Sequence, residues 1–294
     1  MPALVAAWRE AWSAVPGTTD PHAPFGLCTL STDDSEGSGD IASFRWSQGG
    51  NYGSVPNPAL PNVFLAHGYD LADVWVNCGE HPQTMACPGC DTADASYSCL
   101  QPWYMGPGIH PRLKKPFGQR LAASALVSIY GWPGPATGPT LSGCAVDAAS
   151  QQLTLKFNAT LLAGAELLLA AHNQSAVSVL VNSTHGVPGT GKWVACSLAL
   201  GPPGSNTVVV DLAPLKGSPQ AVKYAWGKTG GTPDSEGDVW CCPAGTAAAE
   251  CTPGGCPIFA RAEAAPFGGH PANPFLALIQ NSKCSCPLPQ TCDE

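Results

Sequence analysis

Residues 119–135 read Gln-Arg-Leu-Ala-Ala-Ser-Ala-Leu-Val-Ser-Ile-Tyr-Gly-Trp-Pro-Gly-Pro, and the spacing of apolar residues changes across this stretch. Up to Tyr130 they recur every three to four residues, as on one face of a helix. This spacing predicts a helix over 116–130 with Gly131 at its carboxyl end. After Pro135 apolar and polar residues alternate, which is typical of strands. We therefore divide the chain into an α/β part, 1–133, and a β-rich part, 134–280.

Outward from this boundary, both parts show further elements. In the α/β part we predict a helix over 3–15 and strands over 25–31 and 63–71, with loops at 33–40 and 45–48. Residues 77–108 lack periodicity and are interpreted as a cysteine-rich insertion. Several short strands separated by turn residues predict a β-sandwich after residue 134, followed by a short cysteine-containing tail at 281–294. The clearest alternation lies at 153–157, 177–181 and 222–226.

Charge and hydropathy exclude two classes of partner. The 294 residues contain only 12% charged residues and have a net charge of −8, without a run rich in Lys and Arg. Affinity for a phosphate backbone is mostly cationic, so we expect no nucleic-acid binding. The longest apolar region, 153–171, is interrupted by charged and polar residues, so we expect no membrane span.

Cysteines and glycosylation motifs favour an oxidising compartment. The chain has 14 cysteines and three Asn-x-Ser/Thr sequons, at Asn158, Asn173 and Asn182. Cysteines 78, 87, 90 and 99 are spaced as two disulfides or as a zinc knuckle, and the spacing leaves both open. We expect a secreted protein, or one in the lumen of the secretory or lysosomal pathway. Residues 1–10 do not form a signal peptide, so we also expect the chain to begin within a longer protein.

The sequence alone gives one histidine a possible catalytic role. No nucleophile-elbow, phosphate-loop, dinucleotide or zinc-protease motif is present in the sequence. His110 lies in a Pro/Gly-rich loop just ahead of the predicted helix, and catalytic groups favour such loops on rigid scaffolds. His67, within an apolar strand, is interpreted as a core residue, and His270 is expected to be solvated.

Many short motifs, in one order over roughly residues 1–280, resemble the sialate O-acetylesterase family of SGNH-type carbohydrate esterases. One of them, Gly108-Ile109-His110-Pro111-Arg112 followed by the 119–122 helix, resembles the family's catalytic histidine block. Residues 70–73 resemble its Asp-rich strand end. The other matching segments are 4–10, 24–31, 45–48, 52–58, 60–64, 223–226, 255–259 and 265–267.

The resemblance implies an incomplete SGNH-type three-layer α/β/α domain followed by a β-sandwich-like domain. It also implies that His110 is the general base that activates a serine hydroxyl, which attacks the carbonyl of an O-acetylated sugar. The family's serine block precedes the helix at which this chain starts, and no serine here matches it. We therefore expect the chain alone to be inactive. The resemblance implies no cofactor and no metal.

The remaining site residues are interpreted from type and position. Asp73, with Asp70 behind it, is the candidate to orient the imidazole of His110, although both carboxylates can instead cap or pair structurally. Arg45, Gln48 and Arg112 are the predicted substrate-binding residues. A guanidinium binds a carboxylate in a bidentate way, which is the reason for the two arginines, and Gln48 lies in the same motif as Arg45. A structural ion pair is the alternative for each arginine. The alternative for the whole chain is a non-catalytic secreted module that binds glycan or protein.

Overall fold

The computed structural model describes residues 1–30, 39–69, 114–169, 177–183, 191–225, 258–261 and 270–285, with side chains in the second range from Phe44 onward. The helices of this part of the chain are α1 (Pro2–Ser13), α2 (Gly39–Gln48), α3 (Lys115–Ser128) and α4 (Ala159–Leu162). The strands are β1 (Phe25–Cys28), β2 (Val63–Ala66), β3 (Leu141–Asp147), β4 (Gln152–Phe157), β5 (Glu166–Leu169), β6 (Val177–Val181), β7 (Lys192–Cys196), β8 (Leu198–Leu200), β9 (Thr207–Asp211), β10 (Ala221–Tyr224), β11 (Ile258–Arg261), β12 (His270–Pro271), β13 (Phe275–Gln280) and β14 (Lys283–Ser285).

Strands β1 and β2 form a parallel pair with helices against both faces. Leu27 and Leu65 share one buried cluster with Val5 of α1. Successive side chains of a strand point to opposite faces, so Gly26 faces the other way. A Cβ at Gly26 would lie 3.5 Å from Leu121 of α3 and 2.8 Å from the Phe64 ring. The two helices therefore pack on opposite sides of the pair, and a side chain at Gly26 would crowd it.

Helix α1 is fixed by a polar contact as well as by its apolar face. The guanidinium of Arg9 donates to the backbone carbonyls of Ala23, Pro61 and Asn62 at 2.9–3.1 Å. These carbonyls belong to the segments that lead into β1 and β2. One arginine therefore joins the helix to the entrance of both strands.

The predicted loop at 45–48 is wrong, because these residues form the last turn of α2. The helix ends where Gly49 and Gly50 follow, and Gly50 has a positive φ of 70°, which suits a helix terminus. Apolar residues recur here only in single pairs at helical spacing, such as Ile41 and Phe44, so the segment lacks the sustained pattern that predicted α1 and α3.

The β-rich part is built on a nine-stranded sheet that curls on itself. Its strand order is β7-β6-β10-β13-β14-β3-β4-β9-β8, so β7 and β8 lie at opposite ends. Only Ser197 separates these two strands along the chain. Consecutive Cα atoms are about 3.8 Å apart, so both ends of the sheet must lie close together. A second sheet, β12-β11-β5, completes a sandwich close to a barrel, and the predicted β-sandwich is confirmed at this level.

One disulfide fastens the nine-stranded sheet. Cys144 of β3 and Cys284 of β14 are bonded, with Cα atoms 4.9 Å apart and a sequence separation of 140. Residues 283–285 of the predicted tail thus form an ordered strand. The cysteine cluster at 78–99 lies outside the described residues, where the choice between disulfides and zinc stays a prediction.

Candidate functional site at the carboxyl end of the parallel strands

Two buried polar side chains lie at the carboxyl ends of β1 and β2. Thr29 follows β1 and His67 follows β2. The Thr29 Oγ1 accepts a hydrogen bond from the Gly68 N–H at 3.0 Å and lies 3.4 Å from His67 Nδ1. In open α/β sheets ligands bind outside this edge of the strands. The contacts therefore fix both strand ends at the edge where a site is expected.

The ring of His67 is held in its neutral form. It is only 6% exposed, and burial, followed by the charges of Arg45 and Arg120, lowers its pKa to about 3. Asn273 and Gly53 oppose this shift to a smaller extent. A general base works best with a pKa near the operating pH. His67 is thus a buried polar residue, as its apolar context predicted, and is poorly suited to take a proton from an alcohol.

Arg45 and Gln48, two of the predicted substrate-binding residues, both contact the backbone of Leu30. The Nε of Arg45 donates to the Leu30 carbonyl at 3.1 Å, and the Oε1 of Gln48 accepts from the Leu30 N–H at 3.1 Å. Arg45 is 2% exposed and Gln48 is also buried. These contacts fix the chain just beyond β1, and a role in substrate binding stays a prediction for both.

Arg120 of α3 connects this edge to the β-rich part. Its Nη1 donates to the His67 carbonyl at 2.7 Å. Burial, and then the charge of Arg120, lowers the pKa of His270 in β12 to about 4. His270 is buried, so the expectation that it is solvated is wrong. Its Pro/Gly-rich sequence context resembles an exposed loop, but β12 pairs with β11 inside the second sheet.

Tyr69 passes from the α/β part into the core of the β-rich part. It lies three residues beyond β2, is completely buried and belongs to the β-rich apolar cluster. Its hydroxyl donates to the Ala272 carbonyl at 2.6 Å and lies 3.3 Å from the Tyr224 hydroxyl. The two rings meet edge to face, with centroids 6.3 Å apart. The two parts therefore share an interior at this point.

Asn273 organises the β-rich side of the same junction. Its amide donates to Thr140 Oγ1 at 2.7 Å and its carbonyl oxygen accepts from Thr137 Oγ1 at 3.0 Å. The backbone N–H of Asn273 donates to the Pro139 carbonyl at 2.9 Å. The segment 270–273 is thereby tied to the chain that leads from α3 into β3.

The predicted catalytic residues Asp73 and His110, and the predicted substrate-binding Arg112, lie outside the described residues, as does Asp70. The segment that contains them begins directly after Tyr69 and ends directly before Lys114. In the described part of the chain, no cluster of three or more His, Cys, Asp or Glu residues is arranged to hold a metal ion. Among the described residues, no helix has the length and apolar character needed to span a membrane.

Sequence reasoning missed the roles of Tyr69, Arg120 and Asn273. Each contacts a partner far away in the chain, and a pattern of neighbouring residues does not reveal such a partner. The sequence signal for Tyr69 was an aromatic residue within the apolar segment 63–71.

Comparisons with known proteins bear on this arrangement. No family model matches the chain. The sialate O-acetylesterase of Rattus norvegicus is 27% identical over 229 residues, which are 76% of this chain and 35% of that protein. The Homo sapiens sialate O-acetylesterase is 44% identical over 75 residues, or 24% of this chain and 14% of that protein. This chain is a homologue of the sialate O-acetylesterases. This similarity confirms the family resemblance that the sequence motifs indicated.

A solved structure shares the fold of this sialate O-acetylesterase homologue. A carbohydrate acetylesterase from Xanthomonas citri matches with a TM-score of 0.53 and 18% identity, covering 94% of this chain and 45% of the other. At this identity the likeness shows the fold. The chain spans about a third of the length of the rat relative.

Proposed function

We propose that the chain is a portion of a carbohydrate esterase that hydrolyses O-acetyl groups of sugars. The observation that carries the proposal is the similarity over 229 residues to a sialate O-acetylesterase. Acetylated sialic acid and acetylated plant-type polysaccharides are both suitable substrates, because enzymes that share a fold differ mainly in the loops around the site.

The α/β part is proposed to be a piece of a three-layer α/β/α domain of the SGNH type. The parallel β1–β2 pair, with α1 and α3 on opposite faces, supports this architecture. In such a domain the site lies at the carboxyl edge of the strands, which is where Thr29 and His67 lie.

His110 is proposed as the general base, and chain length supports its placement. Helix α3 begins next to the end of β2, because a Cβ at Gly68 would overlap the Phe117 ring. Lys114 is the fourth residue after His110, and four residues span at most about 14 Å. His67 does not compete for the role, since its pKa is about 3. Asp73, four residues beyond the buried Tyr69, is proposed to orient the imidazole.

The proposed reaction follows the chemistry of acyl transfer. A serine hydroxyl is a weak nucleophile at neutral pH, so His110 removes its proton as it attacks the acetyl carbonyl. The resulting acyl-enzyme is hydrolysed by water, which releases acetate. The serine is proposed to come from a segment outside residues 1–294, and this chain alone is proposed to be inactive. Arg112 is proposed to bind an acidic group of the sugar.

The protein is also proposed to mature in a secretory compartment. The Cys144–Cys284 disulfide supports this, because structural disulfides persist in oxidising environments.

The test starts with the genomic sequence upstream of Met1. An in-frame serine block there defines a longer chain, which is assayed with an aryl acetate beside the 294-residue chain. We expect turnover by the longer chain alone, and its loss in His110→Ala. His22→Ala, at an exposed histidine, is the matched control and should retain activity.

Three results would count against parts of the proposal. Turnover by the 294-residue chain would show that its nucleophile lies within it. Full activity of His110→Ala in the longer chain would remove the base assignment. A longer chain that binds acetylated glycan without hydrolysing it would favour the non-catalytic module.

A further inference from the structure

Two of the three sequons differ in the exposure and hydrogen bonding of their asparagine side chains. Asn182 directly follows β6, and its side chain is exposed. Asn158 is half-buried and caps α4. Asn173 lies outside the described residues.

Asn182 is presented on an exposed turn with one amide hydrogen in use. Its Nδ2 donates to the Lys216 carbonyl at 3.2 Å. A primary amide has two N–H groups, so a substituent on the nitrogen leaves one donor for this bond. The neighbouring Lys216 and Gly217 are exposed as well. The surroundings therefore accommodate a bulky group on Asn182 without breaking its contact.

The backbone at this turn is held in a defined shape. Asn182 has a φ of +56°, a conformation that asparagine adopts more readily than most residues. The Ser183 N–H donates to Gln220 Oε1 at 2.6 Å, and the Gln220 amide donates to the Ser183 carbonyl at 3.2 Å. The side chain of Asn182 is therefore held at the surface of the folded protein, beside strand β6.

Asn158 is more constrained. Its side-chain oxygen accepts from the Leu161 N–H at 3.0 Å as the cap of α4, and its backbone N–H donates to the Thr140 carbonyl at 2.9 Å. Thr140 is itself buried and bonded to Asn273. A glycan at Asn158 would have to leave beside the segment that joins the two parts of the molecule.

We propose that Asn182 is an N-glycosylation site, used in preference to Asn158. The donor is a lipid-diphosphate-linked oligosaccharide. The amide nitrogen forms a bond to the anomeric carbon of the first sugar, the carbon–oxygen bond to the diphosphate breaks, and the amide loses one proton. The lipid diphosphate leaves. The product carries a hydrophilic chain on the rim of the nine-stranded sheet.

The test uses the full chain, secreted from eukaryotic cells behind a leader peptide supplied by the vector. Peptides are released after enzymatic deglycosylation in ¹⁸O-water, which converts each glycosylated asparagine to labelled aspartate. We expect label at Asn182 in most molecules and little at Asn158. Thr184→Ala, which destroys the sequon but keeps Asn182, should abolish that label, whereas Thr184→Ser should retain it.

Thr160→Ala is the matched control, because it removes the Asn158 sequon and leaves the helix cap in place. It should leave label at Asn182 unchanged. Secreted protein without label at Asn182, or with more label at Asn158 than at Asn182, would overturn the proposal. A Thr184→Ala variant that keeps its label at Asn182 would overturn it as well.

Discussion

Removing the hydroxyl of Tyr69 tests whether the α/β and β-rich parts share one interior. Tyr69→Phe keeps the ring in the β-rich core and deletes only the group that donates to the Ala272 carbonyl at 2.6 Å. The site is completely buried, so water cannot readily replace the lost donor. The Ala272 carbonyl then loses the Tyr69 hydroxyl as a donor in an apolar environment.

The size of the effect follows from burial. A typical hydrogen bond contributes about 1 kcal/mol to stability, and leaving a buried partner unsatisfied costs about 1–3 kcal/mol. We therefore expect Tyr69→Phe to lower the free energy of unfolding by about 1–3 kcal/mol. Each kcal/mol corresponds to roughly 2–4 °C in the midpoint of thermal unfolding for a domain of about 200 residues.

The assay is urea unfolding of the full chain, followed by far-UV circular dichroism and tryptophan fluorescence. Tyr130→Phe is the matched control, because Tyr130 is 71% exposed and should change stability by less than about 0.5 kcal/mol. The double variant with Tyr224→Phe should be non-additive by about 0.5 kcal/mol or more, since the two hydroxyls lie 3.3 Å apart.

Two observations would refute this reasoning. One is an equal unfolding midpoint for Tyr69→Phe and Tyr130→Phe. The other is a pair of well-separated transitions in the unmodified protein, with only one of them sensitive to Tyr69→Phe. Either result would mean that the shared interior contributes little to stability.

Three further predictions concern packing, pH and the disulfide. Gly68→Ala should destabilise the protein by about 1–3 kcal/mol, because its Cβ would overlap the Phe117 ring. Gly118→Ala, with open space around it, is the control and should stabilise α3 by up to about 1 kcal/mol. Equal effects of the two variants in urea unfolding would contradict the contact between Gly68 and Phe117. The pKa of His67 is lowered to about 3 and that of His270 to about 4 in the folded protein, whereas a histidine in the unfolded chain has a pKa of about 6.5. Below about pH 6.5 the unfolded chain therefore binds more protons than the folded protein. The free energy of unfolding should thus be highest above that pH and fall as the pH approaches 4. Thermal unfolding should show a smaller fall in His270→Asn, and an unchanged pH dependence would be evidence against this. Replacing both cysteines of the β3–β14 disulfide by serine should cost about 2–5 kcal/mol, given the long loop that it closes, and non-reducing peptide mapping that finds other pairings would contradict it.

Local patterns predicted the elements that have a strong period. The apolar spacing predicted α1 and α3 to within about two residues of their bounds, and alternation predicted β4 and β6. Helix α2 was missed because its few apolar residues form only single pairs at helical spacing and no sustained pattern. Strands β1 and β2 are shorter than predicted. Of the apolar residues that follow β2, Tyr69 packs in the core of the β-rich part instead of continuing the strand.

The candidate site was less accessible to sequence reasoning. Burial of His67 followed from its apolar context, but burial of His270 depends on pairing between β12 and β11, which its own sequence does not announce. Arg45 was predicted from chemistry that suits a sugar acid and Gln48 from the same motif, and the sequence did not show that each also contacts the backbone of Leu30. Side-chain type alone does not reveal whether a polar group faces a ligand or the main chain.

The position of Tyr69 has a consequence for how this protein can be recombined. A phenol ring from one half completes the interior of the other, so a gene fusion that transplanted residues 134–285 onto a foreign enzyme would carry a ring-sized void with it. Evolutionary shuffling of the two halves would be penalised in the same way, and they are best inherited as a pair.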